Sequence, residues 1–409
     1  MSFSEWRSYS LKDVCRYSKD KVEICKITQE NYISTENMLP EKGGVTLAST
    51  IPNSKSVTAY VEGDVLISNI RPYFKKIWFS NNKGGASNDV LVLKCNEKII
   101  YNKYLYYFLS QDKFFDYVMG TSKGTKMPRG DKDAILKYDI NLPSLIEQRS
   151  IVKILSHLDE KIETNNQINK KLEEMAQTIF KQWFVNFEFP NEDGEPYKSS
   201  GGKMVESEMG MIPEGWEFKK LNEILDNVKN STKSGEHLKD RKYIPIDTMP
   251  MKSLTIKEFK SYKEANSSLV LFEEFDILIG AMRVYFHRVN LAPFKGVTRT
   301  TTFVLRSKEK SDISYNLCML NLDETINYAD KTSKGTTMPY AIWENGLGDM
   351  MVAHPKCDLR NKFNNIVFPI LKKMVESANE NTELKEVRDI LLPKLMSGEI
   401  RIPVEVSER

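Results

Sequence analysis

The chain has 409 residues, of which 40% are apolar and 28% charged, and its formal net charge is +3. That length exceeds the usual size of a single hydrophobic core, so we expect two or three domains. The sequence contains no apolar run long enough to span a membrane, and its first residues lack the apolar stretch of a signal peptide. With five cysteines and no Cys-x-x-Cys pair, composition predicts a cytoplasmic globular protein with free thiols.

The first predicted elements form a mixed domain of strands and a helix. Runs rich in β-branched residues at 64–70 and 90–94 predict buried strands. Apolar residues at helical spacing predict a helix over 102–119, and glycine and proline mark a loop at 120–130. A closing strand is expected at 134–142.

A heptad pattern follows Pro143 and predicts a long coiled-coil helix. Its two core series step by seven residues: Ile151, Leu158, Asn165, Leu172 and Ile179, and, offset by four, Leu155, Ile162, Asn169, Ala176 and Trp183. Alternating steps of three and four over nearly five heptads are typical of a coiled coil. A helix of about 35 residues that rises about 1.5 Å per residue is about 50 Å long.

The predicted elements then repeat in the same order. Residues 190–213 are rich in glycine, proline, serine and acidic residues, which predicts a surface linker that lets the second domain be placed independently. Beyond the linker, strands are expected at 276–282 and 302–306 and near 349–353, with a helix near 314–329. The sequence therefore predicts that a whole domain and the helix after it are duplicated. Such a duplication suits a protein that binds two similar ligands at once.

The second long helix shows the same heptad pattern. Its core series are Phe363, Ile370, Ser377, Leu384 and Leu391, and Val367, Met374, Asn381, Arg388 and Leu395. Pro369 lies in its first turns, so we expect the helix to be kinked there or to begin later. Both helices have polar residues at the centre of the pattern. An antiparallel pair would bring Asn165 to Asn381, and Asn169 to Ser377.

Buried polar layers penalise slipped registers, so these four polar residues predict the register of the helix pair. A parallel pair matches the same layers. The pattern therefore fixes the register and leaves the direction open.

Two motifs in the first domain return about 212 residues later. Residues 121–128 (TSKGTKMP) return as 332–339 (TSKGTTMP), with seven of eight positions identical. Residues 64–71 (DVLISNIR) return as 276–283 (DILIGAMR), and a Tyr-Phe pair follows each one residue later. The arginine, lysine and histidine residues around each Tyr-Phe pair suit phosphates and guanine, because cations neutralise phosphates and donate to guanine, and the tyrosine can pack on a sugar or base. Hydroxyls, a lysine and free backbone amides in the loop also suit phosphate oxygens.

These motifs and the polar segments beside them give the candidate DNA-binding residues. In the first domain they are Lys42, Arg71, Tyr73, Lys75, Lys76, Ser87, Asn88, Thr121, Ser122, Lys123, Gly124, Thr125 and Lys126. In the second they are Arg283, Tyr285, His287, Arg288, Arg299, Thr300, Thr301, Thr332, Ser333, Lys334, Gly335, Thr336 and Thr337. Phosphate contacts are expected from Lys75, Lys76, Lys123 and Lys334.

A structural interpretation of each segment stays open. The cation and aromatic residues could form a solvated strand end with a buried aromatic pair. The repeated loop could be a turn with Met127 and Met338 packed in the core. Segments 87–89 and 299–302 differ between the copies, as two readers of different sequences require, although drift at the surface gives the same pattern.

Motifs for catalysis are absent from the sequence. It contains no phosphate-binding Gly-x4-Gly-Lys, no His-Glu-x-x-His, and no zinc-ligand spacing of Cys and His. We also find no adenine-methyltransferase motif and no convincing nuclease arrangement. Together these absences favour a binding protein over an enzyme.

Several further segments are typical of one family. They are 142–149 (LPSLIEQR), 180–184 (FKQWF), 194–197 (GEPY), 212–216 (IPEGW), 391–399 (LLPKLMSGE) and the two Gly-Thr-x-Met-Pro loops. With them the chain resembles, over essentially its whole length, the specificity subunits of type I restriction–modification systems. The resemblance implies an α/β (α+β) fold in which two similar target-recognition domains are separated by two long antiparallel coiled-coil spacer helices, a pseudo-twofold internal repeat.

The resemblance also implies domain boundaries and a role for each part of the chain. The expected parts are recognition domain 1 (1–143), spacer helix 1 (144–187), a linker (188–213), recognition domain 2 (214–356), spacer helix 2 (357–397) and a C-terminal tail (398–409). Each domain would read one half of a bipartite double-stranded DNA target, and the helices would set the gap and dock two methyltransferase subunits. Those methyltransferase subunits would carry S-adenosylmethionine, and ATP-driven motor/nuclease subunits would join them for restriction. In this chain itself, no catalytic residue, metal or cofactor is expected.

Two other functions compete with this interpretation. The chain could be a self-sufficient methyltransferase–nuclease fusion, which the missing motifs disfavour. It could also be an assembly scaffold whose repeated domains bind protein only.

Overall fold

A computed structural model describes residues 5–207 and 210–403, which divide into two compact units. The first unit is the described part of residues 1–160 and 385–409, and the second is the described part of residues 161–384. Each unit therefore contains part of both long helices. The domain boundaries expected from the sequence stay predictions, and residues 404–409 of the expected tail lie outside the described part.

The first unit is built from short strands and helices that precede the first long helix. Its strands are β1 (Arg7–Ser10), β2 (Cys15–Tyr17), β3 (Lys21–Glu23), β4 (Tyr32–Ile33), β5 (Ser56–Tyr60), β6 (Val65–Ser68), β7 (Ile77–Phe79), β8 (Gly84–Ala86), β9 (Val90–Cys95) and β10 (Asp139–Leu142). Its short helices are α1 (Leu11–Val14), α2 (Asn102–Leu109), α3 (Asp112–Gly120) and α4 (Lys132–Leu136). The first long helix is α5 (Leu145–Phe180).

Two four-stranded sheets form the body of this unit. Their strand orders are β2-β9-β6-β7 and β3-β5-β8-β4, and β1 pairs with β10. Strand β6 is buried on both faces: Val65 and Ile67 pack in the cluster that holds α2 and α3, whereas Leu66 packs in the cluster of the second sheet. This double burial explains why the sequence of β6 is a continuous apolar run rather than an alternating one. The predicted strands β6 and β9 are confirmed.

The structure corrects two predicted elements in this unit. The helix expected over 102–119 is broken into α2 and α3, because Gln111 is extended (φ −72°, ψ 146°) and the Ser110 hydroxyl donates to the Tyr106 carbonyl, 2.7 Å away. The strand expected at 134–142 is half helix. Asp131 caps α4 by accepting from the backbone N–H groups of Asp133 (3.0 Å) and Ala134 (3.2 Å).

The second unit repeats this plan. Its strands are β11 (Met204–Ser207), β12 (Gly210–Pro213), β13 (Glu217–Lys220), β14 (Leu225–Asn227), β15 (Ser231–Thr232), β16 (Lys242–Tyr243), β17 (Leu269–Phe272), β18 (Ile277–Gly280), β19 (Val289–Leu291), β20 (Gly296–Arg299), β21 (Thr302–Ser307) and β22 (Met351–His354). Its short helices are α6 (Leu221–Ile224), α7 (Ile313–Leu320) and α8 (Asp323–Lys331). The sheet orders β14-β21-β18-β19 and β15-β17-β20-β16 match those of the first unit strand for strand.

The segment expected to be a free surface linker is packed within the second unit. It contains the hairpin of β11 and β12, and its Phe189 is buried. The Phe189 ring stacks on Tyr197 (centroids 4.5 Å apart) and on Trp216 (5.8 Å). Composition alone indicates exposure here, but these aromatic side chains bury enough apolar surface to hold the segment in place.

The second long helix is α9 (Cys357–Ser397), and it continues through Pro369 as one helix. The expectation that this helix begins later is therefore wrong. Pro369 and Asn365, the residue whose carbonyl lacks a helical partner, are both exposed, so water can satisfy that carbonyl. Phe363 and Val367 beside them are fully buried, and their burial offsets the cost of the proline.

Contacts inside the second unit give the direction of the helix pair. Asn165 Nδ2 donates to Asn381 Oδ1 (2.9 Å), as predicted, and to Glu380 Oε2 (2.8 Å). Trp183, in the π-helical turn that follows α5, packs on Phe363, with ring centroids 5.7 Å apart. Later residues of the first helix thus meet earlier residues of the second, so the pair is antiparallel. Asn169 donates to the backbone oxygen of Met374 (3.1 Å) rather than to Ser377.

The first unit shows the same direction by itself. Arg388 of α9 contacts Asp159 of α5 (3.0 Å), and Leu155 shares a buried cluster with Leu395. Beyond α9, the Arg401 guanidinium forms two hydrogen bonds, 2.7 and 2.9 Å long, with the fully buried Glu147 carboxylate near the start of α5.

Candidate nucleic-acid interface

The segment after β6 forms a tight turn that projects a cation and an aromatic ring. Residues Pro72–Phe74 make one 3-10 turn, and both flanking residues, Arg71 (φ 49°) and Lys75 (φ 50°), are left-handed. A non-glycine residue in that conformation costs about 1 kcal/mol or more. Arg71 is exposed, and Tyr73 keeps 46% of its surface in solvent.

The second unit keeps the same strained turn after β18. Arg283 (φ 48°) and His287 (φ 53°) flank the 3-10 turn Val284–Phe286. Tyr285, in the place of Tyr73, is 48% exposed. Strain at two left-handed residues in each copy indicates that the geometry of the turn serves a purpose other than stability.

The repeated loop is a short hairpin with an exposed tip. Backbone hydrogen bonds of 2.9 and 3.0 Å join Lys123 to Arg129, and the corresponding pair is Lys334 and Tyr340. The hairpin turns at a glycine with positive φ, +91° at Gly124 and +90° at Gly335, which few other residues adopt.

The tips of both loops face solvent. Met127 and Met338 are 46% and 51% exposed, so the interpretation that packs them in the core is wrong. Thr125, Lys126, Thr336 and Thr337 are exposed beside them. The hydroxyls at the start of each loop point inward instead, because Ser122 and Ser333 donate to the preceding helix at Met119 and Ala329 (both 2.8 Å), and Thr121 and Thr332 do the same.

Backbone hydrogen bonds bring three predicted segments of the first unit together. Arg71 N donates to the Pro128 carbonyl (2.8 Å), which joins the turn to the loop. Asn69 N donates to the Asp89 carbonyl (2.8 Å), which adds the polar segment before β9. Gly130 N in turn donates to Asn69 O (3.1 Å). Residues far apart in sequence thus form one surface, called here the first reading surface: the segments 69–76, 87–89 and 121–130.

The second unit builds an equivalent second reading surface from 281–288, 299–302 and 332–341. Arg283 N donates to the Pro339 carbonyl (2.8 Å), and Ala281 N donates to the Thr301 carbonyl (2.9 Å). Thr300 and Arg299 are exposed, and Arg299 donates to the Ser267 hydroxyl (3.2 Å). In the first copy, Asn88 is exposed and Ser87 half-buried.

Four cations of these surfaces are available for an anion. Within residues 5–207 and 210–403, no carboxylate lies within 4.0 Å of the charged groups of Arg71, Lys126, Arg283 or Lys334. Lys123, in contrast, lies 2.6 Å from Asp131 Oδ2, and this ion pair raises the pKa of the lysine and lowers that of the aspartate.

Other predicted cations are already engaged inside the protein. Lys42 and Lys75 share the Asp112 carboxylate at 3.2 and 3.1 Å. Burial tends to raise the pKa of Asp112, but the hydrogen bonds from the two lysines outweigh it and leave that pKa below its usual value. Lys76 donates to the Thr35 carbonyl (2.6 Å), and burial, with Arg71 nearby, lowers its pKa. The predicted phosphate contacts of Lys75 and Lys76 would need these partners to be released.

Two predicted residues of the second copy make contacts inside the protein instead of facing solvent. His287 is only 7% exposed, and its Nε2 lies 3.0 Å from Asn321 Oδ1, so its side chain is not part of the exposed surface. Arg288 donates to the Met249 carbonyl (3.1 Å) and lies over the Phe286 ring (4.8 Å), which makes it a packing residue.

Sequence reasoning missed three residues that the folded chain brings to these surfaces. Arg129 and Tyr340 close the two hairpins directly after the Met-Pro pair, and the repeat boundary chosen from sequence excluded them. Lys252 donates its backbone N–H to the His287 carbonyl (2.8 Å), as Lys42 does to Lys75 (3.1 Å). The offset of 210 residues between Lys42 and Lys252, which Trp6 and Trp216 share, is the signal that could have found it.

Comparisons with known proteins show what this sequence is similar to. The sequence model of the family described as "Type I restriction modification DNA specificity domain" matches residues 3–174. The chain is 28% identical over 321 residues to the type I restriction enzyme MjaIX specificity subunit of Methanocaldococcus jannaschii, with 74% of this chain and 70% of the relative covered. It is 22% identical to the type I restriction enzyme HindI specificity subunit of Haemophilus influenzae, over 97% of this chain and 100% of the relative.

A solved structure shares the fold. The crystal structure of the type I restriction–modification system S subunit from M. genitalium aligns over 96% of both chains, with a TM-score of 0.56 and 16% identity. Among the described residues, no helix combines the length and the apolar content that crossing a membrane requires.

Proposed function

We propose that this chain is a specificity subunit of a type I restriction–modification system, as its similarity to such subunits supports, and that each reading surface recognises one half of a bipartite DNA target. The two units share a frame of backbone hydrogen bonds, a strained turn with an exposed arginine, and a glycine hairpin. Shared cations suit phosphates, which are the same in every sequence, and divergent side chains suit base edges, which are not. This combination in both units is the observation that carries the proposal.

The antiparallel helices support a role as a spacer that sets the gap between half-sites. Within the second unit, the Asn165–Asn381 pair is buried, and a shifted register would leave these amides without partners. Helix α5 has 36 residues and α9 has 41, so each is a long element of fixed rise per residue. We propose that this rise translates into a fixed number of base pairs.

Exposed aliphatic side chains on the long helices support the docking of two methyltransferase subunits. The first unit exposes Ile154 (38%) of α5 and Val387 (45%) of α9, and the second exposes Met175 (52%) of α5 and Ile366 (46%) of α9. Ile366 follows Ile154, and Val387 follows Met175, by the same repeat of 212 residues. Each unit thus has one aliphatic pair, defined by the repeat, and two equivalent pairs suit two copies of one partner.

Paired substitutions test this docking. Ile154→Asp with Val387→Asp should remove one methyltransferase copy and leave the other bound, as seen by native mass spectrometry of the co-expressed complex. Ile390→Asp is the matched control, because Ile390 is 60% exposed on α9 but lies outside the aliphatic pair. Two bound methyltransferases in the paired variant would contradict the docking proposal.

We assign the chemistry to the partners rather than to this chain. The methyltransferase subunits would bind S-adenosylmethionine, motor/nuclease subunits would join them for restriction, and the specificity subunit would work without a catalytic group in the bacterial or archaeal cytoplasm. The fusion and scaffold alternatives make other predictions. A fusion would methylate DNA alone, and a scaffold would bind no duplex.

Mapping of methyl-adenine tests the proposal as a whole. The chain is expressed with its methyltransferase partner in a host that lacks other adenine methyltransferases, and the genome is then sequenced with methylation detection. A split motif with a fixed gap is expected, together with no methylation by the chain alone. Methylation by the purified chain, or a continuous motif, would overturn the proposal.

A further inference from the structure

Among the positions that differ between the two reading surfaces, three are joined by the same backbone hydrogen bonds in both. The first surface has Asn69, Asp89 and Arg129, and the second has Ala281, Thr301 and Tyr340. In both, the first residue of the set donates its N–H to the carbonyl of the second, and the third closes the hairpin on the loop lysine. Asn69 and Ala281 are buried, so the side chains at the second and third positions are the candidates that read different bases.

Arg129 and Asp89 form an oriented pair on the first surface. Nη2 of Arg129 lies 3.3 Å from Oδ1 of Asp89, and the two side chains are 56% and 39% exposed. The backbone of Arg129 is held by its two hydrogen bonds to Lys123, and the carbonyl of Asp89 accepts from Asn69 N. The carboxylate therefore orients a guanidinium that is still open to a ligand.

A carboxylate beside the arginine distinguishes a base contact from a phosphate contact. It brings negative charge close to the ligand, which opposes an anionic phosphate. Guanine, however, presents O6 and N7 as acceptors to a guanidinium, and its paired cytosine presents an N4 amino group that donates to a carboxylate. A guanidinium next to a carboxylate thus matches the major-groove edge of one G·C pair.

The geometry points to Arg129 and Asp89 as the residues that read a G·C pair in the first half-site, an inference that rests on the proposed function. Arg71, with no carboxylate within 4.0 Å in the described part of the chain, contacts the phosphates beside it. Its charge sets affinity, and the Arg129–Asp89 pair sets the sequence preference.

The second surface cannot make this contact. Tyr340, 46% exposed, stands where Arg129 stands in the first unit, and Thr301 replaces Asp89. Tyr340 lines an open cleft of about 620 Å³ together with Thr300 and Lys334. The corresponding position of the second half-site is therefore read by Tyr340 and Thr301 instead of an arginine–carboxylate pair, which makes the two halves of the target different.

The test exchanges these side chains between the surfaces. Asp89→Thr with Arg129→Tyr is made in the full chain bound to its methyltransferase, and the reciprocal variant is Thr301→Asp with Tyr340→Arg. Binding is measured on duplexes that carry each of the four base pairs, in turn, at every position of the methylated motif. Wild type should prefer G·C by about 10- to 100-fold at one position of the first half, and the first variant should lose that preference.

The second half-site, the reciprocal variant and a control variant separate a loss of base reading from a general loss of binding. Preferences in the second half should not change in the first variant, and the reciprocal variant should gain a G·C preference there. Arg71→Ala is the control, because it should weaken all duplexes by one common factor. A wild-type bipartite motif whose first-half preferences survive Asp89→Thr with Arg129→Tyr overturns the inference, as does a first half without a G·C pair. A wild-type motif that is not bipartite overturns the proposed function instead.

Discussion

Lys334→Ala should reduce the salt dependence of DNA binding by the equivalent of one phosphate contact. The Lys334 ammonium has no carboxylate within 4.0 Å in the described part of the chain, so its whole charge is available to a phosphate. One phosphate contact contributes about −0.9 to the slope of log K against log salt concentration. Between 50 and 200 mM salt, a slope change of about 0.9 corresponds to about 3.5-fold in affinity.

The assay is fluorescence anisotropy of the chain with its methyltransferase partner on a labelled target duplex and on a scrambled one. Both duplexes should show the same slope change, since a phosphate contact carries no sequence information. Lys75→Ala is the matched control: Lys75 already pairs with Asp112 (3.1 Å), so the slope should change little. Lys123→Ala, whose ammonium pairs with Asp131, should weaken all sequences but change the slope less than Lys334→Ala. A wild-type slope in Lys334→Ala, or an equal loss in Lys75→Ala, would refute this reasoning.

Two further predictions concern stability. Replacing both Asn165 and Asn381 by leucine should raise the midpoint of urea denaturation, because a buried amide pair costs stability. The same variant should loosen the helix register, which is detectable as a methylated motif with more than one gap length. A single gap length would count against the register role. Burial, and then the cations Arg360 and Lys219, lower the pKa of His354 to about 4 from 6.5. The unfolded state therefore binds more protons between pH 6.5 and 4, and stability should fall by up to about 3 kcal/mol as pH drops through that window. His354→Gln should flatten this fall in pH-dependent denaturation, and an unchanged pH profile would contradict the assignment.

The long helices and the duplicated plan of this fold could be predicted from its sequence, because the heptad pattern and the internal repeat are both strong. The heptads around Asn165 and Asn381 predict the helices and their register, and contacts within each unit then supply the antiparallel direction. The repeat at 121–128 and 332–339 likewise predicts a loop in each copy, but the exposure of Met127 and Met338 is known only from the structure. These signals survive because they depend on side chains spaced regularly along one element.

Features that depend on contacts between distant segments could not be predicted in this way. The second sheet of each unit consists of strands two to five residues long, too short to show a period. His287 looks like an exposed cation in sequence, but α8 and the preceding turn enclose it. The pairing of Lys75 with Asp112 joins residues 37 positions apart and decides whether the lysine is available.

Exchange of the first recognition domain tests the central claim most directly. Residues 1–143 are replaced by the corresponding domain of a specificity subunit with a known target, and methyl-adenine is mapped across the genome. The account predicts that one half of the motif changes to the donor's half-site, while the other half and the gap stay as they were. A motif that changes in both halves, or in neither, would contradict the claim that each unit reads its half independently.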